Sequence, residues 1–235
     1  MLGAEQTSGA ATRVTIDEIV LADEPERWRS LGFVLDGDRV QLGSVFVRLI
    51  GDAARSASAP GMLEWALRAI ASTELDGLPT ARSTTVSPPP APAHPNGVEA
   101  IDHVVAMTPS LDRSVRVLQD AGLDLRRIRE QPTPAGAPRQ AFFRLGAEIL
   151  ELVQEPDEAL ARGREDDSER PARLWGLALL SNDLERTVAA LGEQAGEPRD
   201  AVQPARRIVT VKRSAGVAVP LAVMSARVPR EPVAG

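Results

Sequence analysis

Residues 101–125 read IDHVVAMTPSLDRSVRVLQDAGLDL, and residues 144–154 read RLGAEILELVQ. The first stretch opens as a strand rich in β-branched and aliphatic residues. It passes through Thr108 and Pro109 into a helix in which Leu111, Val115 and Leu118 recur at three- and four-residue spacing and form one apolar stripe. Gly122 suits the end of that helix. Strands are predicted next over Leu123–Arg129, Arg139–Leu145 and Glu148–Gln154. The order is strand, helix, then three strands.

The same order appears on both sides of this block. Upstream, VTIDEIVLAD from Val14 is followed by a short helix from Asp23 through Pro25 and Trp28 to Leu31, with Asp23 and Glu26 at capping-box spacing. Strands are predicted over Gly32–Leu35, Arg39–Leu42 and Ser44–Ile50. Downstream, ARLWGLALLS from Ala172 leads to a helix between Ser181 and Leu191, ended by Gly192, and to strands over Arg206–Arg213 and Val217–Met224. Residues 62–72, MLEWALRAIAS, read as the opening strand of a fourth, truncated unit, although Leu63, Ala66 and Leu67 also fit a helix. The proline-rich stretch 83–97, STTVSPPPAPAHPNG, predicts an extended, solvated linker, with His94 in water. Residues 155–170 are charged and predict a surface loop, and 227–235 a frayed tail. The expected plan is a partial copy over 12–82, a linker over 83–97, and a complete domain over 98–226 built from 98–155 and 172–226. The fold class is α+β, with paired βαβββ modules.

Composition narrows the function. The chain has 235 residues, 43% of them hydrophobic and 26% charged, enough for a sizeable core. Asp and Glu number 33 against 27 for Lys and Arg, a formal net charge of −6, which argues against a nucleic-acid binder. The absence of cysteine removes disulfides, thiolate nucleophiles and cysteine-held metals. Only His94 and His103 offer imidazole. No stretch reaches the roughly 18–20 apolar residues of a membrane span, and the first residues lack the pattern of a signal peptide, so the expected compartment is the cytoplasm. No Gly-rich phosphate loop, GxSxG or HExxH motif is present.

The paired βαβββ order, with the motifs quoted above and their weaker echo in WGLALLSNDLERTVAALG and GVAVPLAVMS, resembles the vicinal oxygen chelate, or glyoxalase-like, superfamily. The resemblance implies curved mixed sheets forming a cup. It also implies a divalent metal (Zn, Fe, Mn, Ni or Co) on the cup floor, held by side chains of the first and last strand of each unit, and frequent dimerisation. Members include lyases, isomerases, dioxygenases and metal-free antibiotic-resistance proteins of the bleomycin-resistance kind.

His103 stands at the first-strand ligand position and Glu151 at the last-strand position, and both are the candidate catalytic and metal-binding residues. The partner unit offers Gly176 and Ala222 at the same positions, and the first block offers Glu18 and Arg48, which suit an ion pair. The metal set is therefore incomplete, since catalytic zinc usually has three protein ligands. Asp102 and Glu148 are predicted to point to the opposite face, being an odd number of residues from His103 and Glu151. Without a metal, His103 reads as a sheet-face histidine paired with Glu151 or another carboxylate. Arg206 and Arg207 are candidate anchors for an anionic group, one facing the cup and the other solvent. Phe142 and Phe143 face opposite sides, and one is expected to line the cavity. Trp175 sits beside the space left by Gly176. Three readings stay open: a protein holding a small oxygenated or anionic molecule, a metal-dependent lyase, isomerase or dioxygenase, and a non-catalytic dimerising domain.

Overall fold

The computed structural model describes residues 13–55, 61–133, 136–156 and 169–226; the predicted tail at 227–235 and most of the charged loop lie outside them. In chain order the elements are β1 (Thr15–Leu21), α1 (Pro25–Ser30), β2 (Arg39–Leu42), β3 (Val45–Leu49), β4 (Met62–Arg68), β5 (Thr80–Ser83), β6 (Val98–Thr108), α2 (Leu111–Asp120), β7 (Asp124–Arg129), β8 (Gln140–Leu145), β9 (Glu148–Gln154), β10 (Arg173–Ser181), α3 (Leu184–Leu191), β11 (Arg199–Asp200), β12 (Arg207–Thr210) and β13 (Leu221–Ser225). They form a five-stranded sheet, β2-β3-β1-β4-β5, and an eight-stranded sheet, β11-β12-β13-β10-β6-β9-β8-β7. The class is α+β, with curved, cup-like mixed sheets.

Each unit closes in the same way. The leading strand runs parallel to the last: β1 with β3, β6 with β9, β10 with β13. Leading strands of neighbouring units pair antiparallel, β1 with β4 and β6 with β10. Residues 62–68 are therefore a strand, and its parallel partner β5 makes the fourth unit a remnant with no helix between them. Helix α2 turns Leu111, Val115 and Leu118 into the core, as its periodicity predicts.

Three expectations are corrected. Residues 32–35 form no strand; only an isolated bridge joins Asp36 to Arg39, because the chain closes a tight loop there. Asp23 does not cap α1, whose cap is Glu24. It is instead fully buried, accepting hydrogen bonds from Trp28 Nε1 (3.1 Å), the Ala218 amide (2.9 Å) and Arg55 Nη2 (3.1 Å). His94 is not solvated but 6% exposed. Its Nδ1 accepts from the Val34 amide at 3.1 Å and its Nε2 lies 3.0 Å from the Gln41 carbonyl, so the proline-rich segment is extended yet pinned. The Ala91 amide, 3.0 Å from the Gly43 carbonyl, pins it again.

The two sheets share one continuous hydrophobic core. Polar ties cross between them. Asp23 reaches Ala218, the Gly43 amide donates to the Glu99 carbonyl at 2.8 Å, and Asp76 accepts from Arg113 at 2.9 Å.

Asp23→Ala leaves the Trp28 and Ala218 N–H groups without their acceptor, and each orphan costs about 1–3 kcal/mol. A loss of about 3 kcal/mol is expected in urea unfolding, with Asp23→Asn losing less. Burial holds the His94 imidazole below its ordinary range, against the raising effect of the Gln41 carbonyl. The unfolded chain then binds more protons below about pH 6.5. The His94 contribution is thus present above that pH and fades as pH falls through the folded value. Unfolding midpoints between pH 7.5 and 5.5 should fall more steeply in the parent than in His94→Gln.

Candidate functional site

The site is built by an irregularity in the leading strands. In the β6–β10 ladder, Ala178 pairs with His103 and Leu179 with Ile101, so Asp102 is an inserted residue. A bulge places two successive side chains on one face of the strand. Ile101 and Val104 enter the main core, and Asp102 and His103 both turn to the concave face. The same insertion recurs at Asp17 in β1, Leu63 in β4 and Trp175 in β10. Asp102 therefore does not point away, as strand parity predicts. The sequence carries a signal for this: core residues three apart enclosing two others, Ile101–Val104, Ile16–Ile19, Met62–Trp65 and Leu174–Leu177.

The ladders place the concave residues in rows across the eight-stranded sheet. One row runs Ala222, Ala178, His103, Ile149, Arg144. The next runs Gly176, Val105, Glu151, Phe142, Arg127. A third runs Met107, Val153, Gln140, Arg129. Val105, Val153, Ala137 and Met107 form a small apolar cluster apart from the main core.

His103 bridges two carboxylates. Its Nδ1 lies 2.8 Å from Asp102 Oδ2 and its Nε2 lies 3.2 Å from Glu151 Oε2. Arg206, 4% exposed, donates through Nη2 to Asp102 Oδ1 at 2.6 Å and through Nε to the Ser225 carbonyl at 2.8 Å. Gln140 donates to the other oxygen of Glu151. The side chains of His103 and Glu151 are 13% and 16% exposed, so the floor is shielded but not sealed.

The two carboxyls are driven apart. Burial alone would push Asp102 up, but the hydrogen bonds from His103 and Arg206 outweigh it and hold the group below the ordinary aspartate range. Burial pushes Glu151 up, aided by the charge of Asp102 and only partly offset by His103, Arg129 and Arg127. An ionised Asp102 only accepts, so the proton of a neutral imidazole sits on Nδ1 and leaves Nε2 facing Glu151. Groups whose environments separate them in this way are suited to acid–base roles.

The other expected residues are distributed as follows. Phe143 is fully buried in the core, while Phe142 lies on the concave face under the Arg127 guanidinium, 4.8 Å from the ring centroid. Arg207 points outward to Glu185 at 2.6 Å. Trp175 is 39% exposed on the concave side. The space beside Gly176 is not vacant, because a Cβ there would stand 2.8 Å from the Pro220 carbonyl oxygen. Glu148 is buried away from the floor.

The five-stranded sheet repeats the frame without the chemistry. Glu18 is neutralised by Arg48 (2.9 Å) and Arg39 (2.8 Å), and Asp17 by Arg68, Ser83 and Thr85. A cavity of about 190 Å³ lies over these residues, beneath Val86 and Pro88.

The donor set does not fit a resident metal. Among the described residues no group of three His, Asp or Glu is placed to hold a metal ion. Gly176 and Ala222 occupy the positions of the neighbouring unit equivalent to His103 and Glu151, and Asp102 is committed to Nδ1 and Arg206.

No protein-family model matches the chain, and no curated protein matches it. Solved structures do. A xylose isomerase-like TIM barrel/4-hydroxyphenylpyruvate dioxygenase fusion protein superposes with a TM-score of 0.60 over 95% of this chain and 50% of its own, at 13% identity. A methylmalonyl-CoA epimerase from Mycobacterium tuberculosis gives 0.45 over 60% of this chain and 93% of its own, at 18% identity. A hypothetical protein from Bacillus halodurans gives 0.44 over 56% and 97%, at 15% identity. Likeness at such identity is likeness of fold. The chain has the vicinal oxygen chelate, glyoxalase-like fold.

Opposite pH signatures are expected from the two carboxyls. Glu151 binds protons more tightly folded than unfolded, so its contribution falls as pH rises above about 4.3. Glu151→Gln should gain stability over the parent across that rise. Asp102 stabilises above about pH 3.9 and loses this on acidification through its folded value. Asp102→Asn should cost roughly 3 kcal/mol at neutral pH, since it strands the buried Arg206, and the cost should shrink in acid. Urea unfolding from pH 3 to 7 reads both.

Proposed function

We propose that the chain holds a small oxygenated molecule in the cup of its eight-stranded sheet, over the Asp102–His103–Glu151 floor and without a resident metal. The observation that carries this reading is the clamping of His103 between two carboxyls driven in opposite directions, while the equivalent positions of the neighbouring unit offer only Gly176 and Ala222. In this reading Nε2 and the Glu151 carboxyl hold one proton between them and present it, or the vacant lone pair, to a ligand oxygen. Asp102 and Arg206 orient the ring. Phe142 and Trp175 contribute aromatic walls. Glyoxalase-like relatives of the fold include both binders and enzymes, and the incomplete donor set favours a binder or a metal-free proton-transfer site.

A second reading, a divalent-metal-dependent lyase, isomerase or dioxygenase, has one specific observation behind it. A carboxylate on Nδ1 is the usual orienting partner of a metal-bound imidazole. A dimerising interaction domain is the third reading, and it requires the cup to bind nothing. Among the described residues no helix is long and apolar enough to cross a membrane. We place the protein in the cytoplasm, as a homodimer.

The test is elemental analysis of the parent, His103→Ala and Glu151→Ala after loading with Mn, Fe, Ni, Co or Zn and dialysis. It is paired with melting temperatures in a panel of 2-oxo acids, 2-hydroxy acids and diols. The expected result is no stoichiometric metal in any of the three, and a ligand-induced rise in Tm that both variants lose. About one metal per chain, retained by the parent and lost in both variants, would establish the metalloenzyme instead.

A further inference from the structure

The eight-stranded sheet ends on β7, whose sequence DLRRIR is the most basic strand in the chain. Arg127 stands opposite Phe142, and Phe142 opposite Glu151; Arg129 stands opposite Gln140, and Gln140 opposite Val153. Phe142 and Gln140 are on the concave face, so the cross-strand partners Arg127 and Arg129 share it. Their charges reach the floor, since both help hold Glu151 down against burial. Adjacent strands lie about 4.8 Å apart, which puts the backbone of Arg127 about 10 Å from that of Glu151. That is the length of a small organic molecule.

These two guanidinium groups differ from most arginines around the two sheets. Arg39 and Arg48 are neutralised by Glu18, Arg68 by Asp17, Arg206 by Asp102, and Arg207 by Glu185. Arg144 is exposed and stands opposite Asp124 in the ladder, where the Asp124 carboxylate pairs with Arg126 at 3.3 Å. Arg127 and Arg129 have no carboxylate partner among the described residues. Arg127 is instead laid over the Phe142 ring, which fixes its guanidinium above the concave surface. Between the arginines and the strand of His103 lie Phe142 and then Glu151 in one row, and Gln140 and then Val153 in the next.

Resting on the reading of the cup as a ligand site, we propose that Arg127 and Arg129 form its anion-recognising edge, and that the ligand is a small organic carboxylate with an apolar body. The carboxylate meets the guanidinium pair at the rim. The body lies over Phe142, beside the already buried Val105–Val153–Ala137 cluster. A polar oxygen at the far end reaches the His103–Glu151 pair. A planar guanidinium binds a carboxylate through two parallel hydrogen bonds, which a neutral amide cannot reproduce. Arg206 and Arg207, the anchors expected from the sequence, are both engaged elsewhere.

The test is isothermal titration of the full chain with phenylacetate, its uncharged amide phenylacetamide, and inorganic phosphate. The proteins are the parent, the double variant R127Q/R129Q, the surface control R29Q, and H103A. Phenylacetate is expected to bind the parent about tenfold or more tightly than phenylacetamide, the worth of one charge-assisted pair. That difference collapses in R127Q/R129Q and survives in R29Q. Phosphate, which leaves the apolar patch bare, binds more weakly than phenylacetate. Equal affinity for acid and amide, discrimination that survives in R127Q/R129Q, or no binding of phenylacetate to the parent overturns the proposal. Phosphate binding as tightly as phenylacetate overturns the carboxylate assignment. In a further titration with 4-hydroxyphenylacetate, which carries an oxygen at its far end, tighter binding than phenylacetate to the parent that is lost in H103A is expected; equal binding of the two acids to the parent leaves the anion edge standing and removes the polar floor from the site.

Discussion

A strand that buries one face cannot normally place two neighbouring side chains in the same cavity, because its period is two. This chain escapes that constraint by inserting a residue into each leading strand. Ile101 and Val104 stay in the core, and the doublet between them, Asp102 and His103, turns together into the cup. Everything polar on the floor depends on that insertion. In a regular strand Asp102 would lie among buried leucines, Arg206 would have no carboxylate, and the His103 ring would lose the partner that sets its tautomer. The doublet recurs in all four units with different contents. Asp17 and Glu18 are consumed by arginines, while Trp175 and Gly176 bring an aromatic surface and a close backbone approach.

The electrostatics follow from where each carboxyl sits relative to the arginines. Asp102 has a guanidinium in contact and an imidazole beside it, so its charge is well compensated. Glu151 has a single amide donor and a ring, with Arg127 and Arg129 at a distance across Phe142 and Gln140. Burial therefore acts on Glu151 more than compensation does. His103 thus lies between a carboxyl held low and a carboxyl pushed up.

Much of this architecture is legible in the sequence because it rests on periodicity. The β9 boundaries, Glu148–Gln154, and the buried stripe of α2 follow from apolar spacing alone, as does the strand, helix, three-strand order of the middle unit. The pairing of Glu18 with Arg48 follows from aligning repeats. Asp102 escapes because parity assumes a regular strand, although the three-residue spacing of Ile101 and Val104 marks the bulge. His94 escapes because proline content speaks for extended backbone and says nothing of where that backbone docks. Asp23 has the spacing of a cap, and only the fold shows that Trp28 and Ala218 need its oxygens more than the helix does. Of Arg206 and Arg207, the first is buried against Asp102, which the parity rule had removed from view, and the second reaches Glu185 outside. Arg127 and Arg129 carry no motif; their position on the outermost strand gives them meaning.

The contact at Gly176 bears on how this cup stands in sequence space. A Cβ there would meet the Pro220 carbonyl oxygen at 2.8 Å, and that carbonyl also accepts the Leu177 amide at 3.0 Å, so it is anchored. A histidine or carboxylate cannot simply be written into the position that is equivalent to His103 in the neighbouring unit. The segment leading into β13 must first be rebuilt, together with the parallel ladder that starts at Leu177 and Leu221. A symmetric four-donor cup lies across a backbone rearrangement. The asymmetry of the site is therefore held in place by main chain and not by side-chain choice alone.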